Sequence, residues 1–155
     1  MKKRILFVCL GNICRSPAAE GILRRMAAGK GYEVEIDSAG TYGGHAGELP
    51  DPRMRAAASA RGYDLSSRSR RIAAEDFDRF DMIVTMDDSV YDSVHRLAPS
   101  RAAADKIYRM TDFCVNFRAN HIPDPYYEGA RGFELVLDML EDCCRGLLKE
   151  LEQGM

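Results

Sequence analysis

The feature that most constrains this chain is a short apolar run, Lys3 to Cys9, that stops at Gly11-Asn12 and is followed at once by Ser16-Pro17 and a helical pattern. A continuous apolar run of this length, bounded by charges and then by turn residues, predicts a strand buried on both faces. Such strands sit in parallel sheets, whose members are joined by crossovers that are usually helices. Ser16 offers a capping hydroxyl and Pro17 a first-turn proline, so a helix is expected from there to Gly29–Gly31. The first thirty residues therefore read as strand, loop, helix.

The same alternation continues. Glu33 to Ala39 reads as a second strand and Gly40 to Pro50 as a glycine-rich loop. Asp51-Pro52 opens a helix to about Arg61, with Gly62 as its stop. Asp81–Met86 predicts a third strand, with a helix behind it to about Leu97, and Lys106–Met110 a fourth. Phe133, Val136, Leu137, Leu140, Cys144, Leu147 and Leu151 recur at helical spacing, so a long amphipathic helix closes the chain. Strands separated by helices imply an α/β three-layer sandwich, a parallel sheet flanked by helices on both faces. At 155 residues, with no repeat and no linker, residues 1–155 are expected to form one domain.

Charge narrows the function. Twenty-two Lys and Arg against 24 Asp and Glu give a net charge of −2, which argues against a nucleic-acid coat. No apolar run is long enough for a bilayer, and Ile5 to Leu10 is too short for the core of a secretory signal, so a cytoplasmic protein without a membrane partner is expected. The five cysteines are odd in number, with no C-x-x-C pair and no histidine at a zinc spacing, which favours free thiols in a reducing compartment and no metal.

At the end of the first strand stands Cys9-Leu10-Gly11-Asn12-Ile13-Cys14-Arg15-Ser16, a cysteine with an arginine six positions later. In open α/β sheets ligands bind beyond the carboxyl ends of strands, where a helix amino terminus offers unpaired N–H groups to an anion. That field favours a Cys9 thiolate as nucleophile, and the planar fork of Arg15 matches two phosphate oxygens. Gly11 and Asn12 tolerate the left-handed backbone of a loop that turns its amides inward. Ser16 can both cap the helix and hydrogen-bond the sulfur. Displacing an alcohol from phosphate also calls for a general acid, and Asp124 in Ile122-Pro123-Asp124-Pro125-Tyr126-Tyr127 is the candidate. Read from spacing alone, Asp124 suits the opening of a turn more readily than the acid role.

The loop Cys9–Ser16, the segment Ser38-Ala39-Gly40-Thr41, Thr85-Met86-Asp87 and the late Asp124-Pro125-Tyr126-Tyr127 together, and in this order, resemble the low-molecular-weight protein tyrosine phosphatases. The resemblance implies a four-stranded parallel sheet and hydrolysis of phosphotyrosine in proteins through a phosphocysteine intermediate, without metal or cofactor. It implies Cys9 as nucleophile, Arg15 as phosphate clamp and Asp124 as acid and then base. Leu10, Gly11, Asn12, Ile13 and Cys14 would cradle the phosphate, Asn12 and Ser38 would brace the loop, and Ser16 would assist the thiolate. Tyr126 and Tyr127 would line the pocket mouth, and the family default is a monomer. Oxidation would join Cys9 to Cys14 as a disulfide and shield the nucleophile.

The chain departs from this pattern in two places. Where the family carries an aromatic wall for the substrate ring, counting from Thr41 gives Gly43-Gly44, and Tyr42 is the candidate to swing in. Where many members have histidine and glutamine, Ser66–Arg71 is arginine-rich, and it reads as a solvated loop more readily than as a patch for acidic phosphopeptides. Ile13, where the phosphoarginine-specific branch has threonine, favours aryl phosphate. The remaining alternatives are that branch, a thioredoxin-coupled arsenate reductase, which would need further cysteines between Cys14 and Cys114, and a non-catalytic phosphate-binding module. His45, His95 and His121 show no partner spacing and are read as surface or capping residues, and Cys114, Cys143 and Cys144 as structural.

Overall fold

The computed structural model describes residues 2–154. Strands β1 (Lys3–Cys9), β2 (Val34–Gly40), β3 (Met82–Thr85) and β4 (Ile107–Arg109) pair in parallel in the order β2-β1-β3-β4. The apolar run at the amino terminus is thus a central strand, with Ile5 opposite Ile36 on one side and Met82 on the other. Helices α1 (Arg15–Gly29), α2 (Pro52–Ala60), α3 (Asp76–Arg79), α4 (Asp88–Leu97), α5 (Arg101–Ala104) and α6 (Ala130–Gln153) complete the chain, with a 3-10 turn at Met110–Phe113. This is the three-layer α/β arrangement with a four-stranded parallel sheet.

Side chains along β1 alternate between two cores, as strand geometry requires. Ile5, Phe7 and Cys9 join a larger cluster with α1, α2 and α6, whereas Leu6 and Val8 join Ala39, Phe77, Ile83, Val90 and Ile107 on the opposite face. The seven residues assigned to the apolar face of the last helix are all buried. Because every strand is parallel, all four carboxyl ends lie at one edge of the sheet, and Cys9, Gly40 and Thr85 are brought together there. Among the described residues no helix is long and apolar enough to cross a membrane.

Three expectations are corrected. Helix α1 starts at Arg15, and Ser16 does not cap it; the hydroxyl lies inside the first turn and is taken by the loop before it. The short α3, α5 and 3-10 turn were not anticipated, since four residues are too few to show a helical period. Nor are all five cysteines free: Cys114 and Cys143 form a disulfide, leaving Cys9, Cys14 and Cys144. The pair is 29 residues apart in sequence and is joined by packing of the 3-10 turn on α6. That packing needs Gly146, where a Cβ would overlap the Phe113 carbonyl.

Candidate active site

The loop between β1 and α1 turns its carbonyls outward, and almost every one is met. Thr41 N–H donates to the Cys9 carbonyl at 3.1 Å, Tyr42 N–H to Leu10 at 2.8 Å, Asp51 N–H to Ile13 at 2.7 Å, and the Ser69 hydroxyl to Gly11 at 2.9 Å. Asn12 carries a left-handed backbone, φ 56°, where asparagine is tolerated better than most residues. Its side-chain amide donates to the Ser16 hydroxyl at 2.8 Å, and its carbonyl oxygen accepts from the Arg70 amide at 3.0 Å. The amides of Leu10, Gly11, Asn12, Ile13 and Cys14 have no acceptor among the described residues. Successive free N–H groups ahead of the amino terminus of α1 are suited to attract an anion.

Cys9 lines the same cavity as this loop and is buried, with Sγ 3.0 Å from the Ser16 hydroxyl. Gly40 at the end of β2 lets the loop come this close, since a Cβ there would stand 2.7 Å from the Leu10 carbonyl oxygen. Ser38 lies farther back. Its hydroxyl donates not to the loop but to the buried Glu20 of α1 at 2.6 Å, so it braces the helix behind the loop. Cys14 is a buried thiol, pushed well up by burial and then by the charge of Asp51.

The Arg15 side chain is only 3 % exposed. One nitrogen donates to Asp87 at 2.6 Å and to the Ile122 carbonyl at 3.0 Å, and the other stands 3.7 Å from the Asp124 carboxylate. Burial alone would lower the Arg15 pKa, but the neighbouring Cys9, Asp87 and Asp124 outweigh it and raise the value. Asp124 lies across the cleft from Cys9, 43 % exposed, and accepts from the Tyr126 amide at 3.0 Å. Loop, clamp and carboxylate line one cavity of about 300 Å³ with Tyr42, His45, Tyr126 and Tyr127.

The sequence reading gave two residues of this site no role in it. Asp87 is the side chain that fixes Arg15, while its other oxygen caps α4 through the Val90 amide at 2.8 Å. Aspartate between a strand and a helix, at the sheet edge that also holds Cys9, was the available signal. His45 is a wall residue rather than a surface one: its ring packs over Gly11, pairs with Glu48, and faces Tyr42 and Tyr126. Gly44 explains the missing aromatic, because a Cβ there would overlap the Tyr42 ring; the tyrosine lies in the space a side chain at 44 would need. Within the arginine-rich segment Ser66, Arg68 and Arg71 are exposed as expected of a solvated loop, but Arg70 is a brace, since it pairs with Asp37 and the buried Asp76 while its amide holds Asn12. Among the described residues no group of three or more His, Cys, Asp or Glu side chains converges to hold a metal ion.

Comparison with known proteins points the same way. A family model described as low molecular weight phosphotyrosine protein phosphatase matches residues 4–155. The chain is 42% identical to the low molecular weight protein-tyrosine-phosphatase of Streptomyces coelicolor, over 99% of this chain and 96% of that one. It is 35% identical to the human low molecular weight phosphotyrosine protein phosphatase, over 96% and 95% respectively. A crystal structure of protein tyrosine phosphatase from Entamoeba histolytica, with Hepes in the active site, superposes with a TM-score of 0.95 at 42% identity, covering 98% of each chain.

Proposed function

Because the chain belongs to the low-molecular-weight phosphotyrosine protein phosphatases, a family of cysteine-based enzymes, we propose that Cys9, Arg15 and Asp124 carry its hydrolysis of phosphotyrosine in proteins. The observation that carries this assignment is the set of five amides, Leu10 to Cys14, that directly follow the buried Cys9 and have no acceptor among the described residues. Three phosphate oxygens seated on those amides and on Arg15 leave the phosphorus facing Sγ. The sulfur attacks, the P–O bond to the phenol breaks, and Asp124 gives its proton to the departing oxygen. A phosphocysteine results. Water, deprotonated by the same Asp124, then attacks phosphorus; the sulfur leaves as a thiolate that the Ser16 hydroxyl stabilises, and inorganic phosphate is released. The amides and Arg15 supply the stabilisation of charge, so the reading requires no metal or cofactor.

Tyr42 and His45 supply the wall for the substrate ring that Gly44 lacks, and Tyr126 and Tyr127 the mouth. We assign to Cys14 the role of trapping an oxidised nucleophile: peroxide converts the Cys9 thiolate to a sulfenic acid, which condenses with the Cys14 thiol, loses water and leaves a disulfide. Peptide mapping of peroxide-treated protein should find that bond. We place the enzyme in the cytoplasm as a monomeric single domain. Lys3–Cys9 is a core strand that carries the nucleophile at its carboxyl end.

The test is phosphate release from a phosphotyrosine peptide in excess EDTA. Release is expected from the protein as it stands and none from Cys9→Ser, whose circular dichroism should be unchanged. Peptide bound without release would indicate a binding module instead. Release from phosphoarginine but not phosphotyrosine would move the chain to the other branch of the resemblance, and reduction of arsenate to the reductase.

A further inference from the structure

Asp124 is exposed and sits on a loop, yet its position has to be accurate to a fraction of an ångström for proton transfer. On its amino-terminal side the loop is stitched down by the buried Ile122, whose amide donates to the Met86 carbonyl at 2.8 Å and whose carbonyl accepts from Arg15. On the other side Pro125 is buried but hydrogen-bonded only within its own turn, to the Glu128 amide, and the residue whose amide binds the Asp124 carboxylate itself is Tyr126. What holds Tyr126 is therefore what holds that half of the acid.

The guanidinium of Arg53 lies over the Tyr126 ring, 5.3 Å from its centroid, and 4.8 Å from the centroid of Phe133 in α6. Its edge is fixed from behind. Nε and Nη2 donate to the two oxygens of Asp51 at 3.1 and 2.8 Å, a two-point contact that sets the plane as well as the place of the group. Asp51 is buried, caps α2 through the Arg53 amide, and is tied by its own amide to the carbonyl of Ile13 in the phosphate loop. The hydrogen bonds from Arg53 hold the Asp51 carboxyl below the usual range against the pull of burial, so it stays ionised to do this. A continuous strut runs from Ile13 through Asp51, Arg53 and Tyr126 to Asp124. We propose that Arg53 is a positioning residue for the reaction: it sets the acid-bearing loop in register with the phosphate loop. The proposal rests on Asp124 being the general acid. A lysine would keep the charge opposite Asp51 but not the flat face against the rings.

The experiment is a leaving-group series. Values of kcat/KM for phenyl, chlorophenyl and nitrophenyl phosphates are compared in the parent protein, Arg53→Ala, Arg53→Lys, Asp124→Ala and the double variant Arg53→Ala/Asp124→Ala, with the inhibition constant of inorganic phosphate measured for each. Arg53→Ala should lower kcat/KM on phenyl phosphate by about tenfold to a hundredfold, the scale of a misplaced catalytic group. The loss should be several-fold smaller on nitrophenyl phosphate, whose leaving group needs less protonation. Arg53→Lys should lie between. Phosphate inhibition should stay within about twofold, because the phosphate loop is untouched. In the Asp124→Ala background the Arg53 change should add nothing. Equal losses across the series, or losses that multiply with those of Asp124→Ala, would overturn the role of Arg53 while leaving the acid assigned. Asp124→Ala with no leaving-group dependence would instead remove the acid, and with it the premise.

Discussion

The two halves of this active site are built to different specifications. The phosphate loop, Cys9–Ser16, is buried apart from the Leu10–Gly11 rim, and its outward groups are paired with the residues that follow β2, with the Ser69–Arg70 segment or with the start of α2. The segment Cys114–Tyr127 bears the acid and is exposed for most of its length, held at its start by Cys143 and Asp142, next to Asp124 by Ile122, and beyond it by Arg53. The difference follows from what each half must do. Fixed dipoles stabilise a dianion best when they need no reorganisation, which favours burial and complete pairing. A group that exchanges protons with a leaving phenol and then with water has to remain open to solvent, so it can be positioned only from its neighbours.

With the nucleophile left in place, removing the acid should give the largest effect and break the comparison at its exposed half. Asp124→Ala is expected to lower kcat/KM on phenyl phosphate by about 10²–10⁴-fold, the usual contribution of general acid catalysis, with a smaller loss on nitrophenyl phosphate. Phosphate inhibition should change little. Asp87→Asn attacks the buried half. It weakens a charge-assisted hydrogen bond worth about 1.5–3 kcal/mol, so kcat/KM should fall by roughly 10–100-fold on every aryl phosphate alike, and phosphate inhibition should weaken with it. Steady-state kinetics on the two substrates, with phosphate as inhibitor, separates the halves. If Asp87→Asn also showed leaving-group dependence, floor and acid would not be the independent parts described here.

The buried half was also the part legible in sequence. An apolar run, a glycine-asparagine break and an arginine before Ser16-Pro17 fix strand, loop and clamp within sixteen residues, because each signal is local. The strand order, the Asp87 latch, the Arg70 brace and the Cys114–Cys143 bond depend on residues 29 to 72 positions apart and have no local period to betray them. Ser16 shows how a local rule misleads. Serine before proline reads as a helix cap, but a hydroxyl beside a buried sulfur and an asparagine amide finds better partners there. His45 was missed for a simpler reason. A histidine in a glycine-rich stretch has no spacing that says which way the loop folds.

Exchange at the rim gives a smaller effect that sharpens the comparison. Gly44→Ala places a methyl group where the Tyr42 ring lies, so the tyrosine must leave the wall. The expected outcome is a rise in KM for aryl phosphates of about three- to tenfold, the worth of one lost aromatic contact, with kcat nearly unchanged. Tyr42→Ala should match it. The double variant Tyr42→Ser/Gly44→Tyr should restore much of the loss, since it moves the ring from one residue to the other. Failure of both single variants to raise KM would show that His45 and Tyr126 alone form the wall.

The smallest effect on activity should come from the far end of the acid segment. Asp142, buried in α6, accepts hydrogen bonds from the amides of Val115, Asn116 and Phe117 and from the Asn116 side chain, at 2.9 to 3.1 Å. Burial pushes its pKa up, but these donors outweigh it and hold the carboxyl below its usual range. A carboxyl depressed on folding contributes stability in full above its unfolded value, about 3.9, and loses it as pH falls from there through the lower folded value. Asp142→Asn should therefore destabilise the protein near neutral pH by about 1–3 kcal/mol, the range for a buried polar group that loses its matched partner. The gap from the parent should shrink progressively as pH falls below about 4, which urea titrations at a series of pH values would show. Activity on phenyl phosphate should fall by less than it does in Arg53→Ala, because Ile122 still fixes the chain beside Asp124. A larger fall than in Arg53→Ala would mean that the acid is positioned from the start of its loop and not from Tyr126.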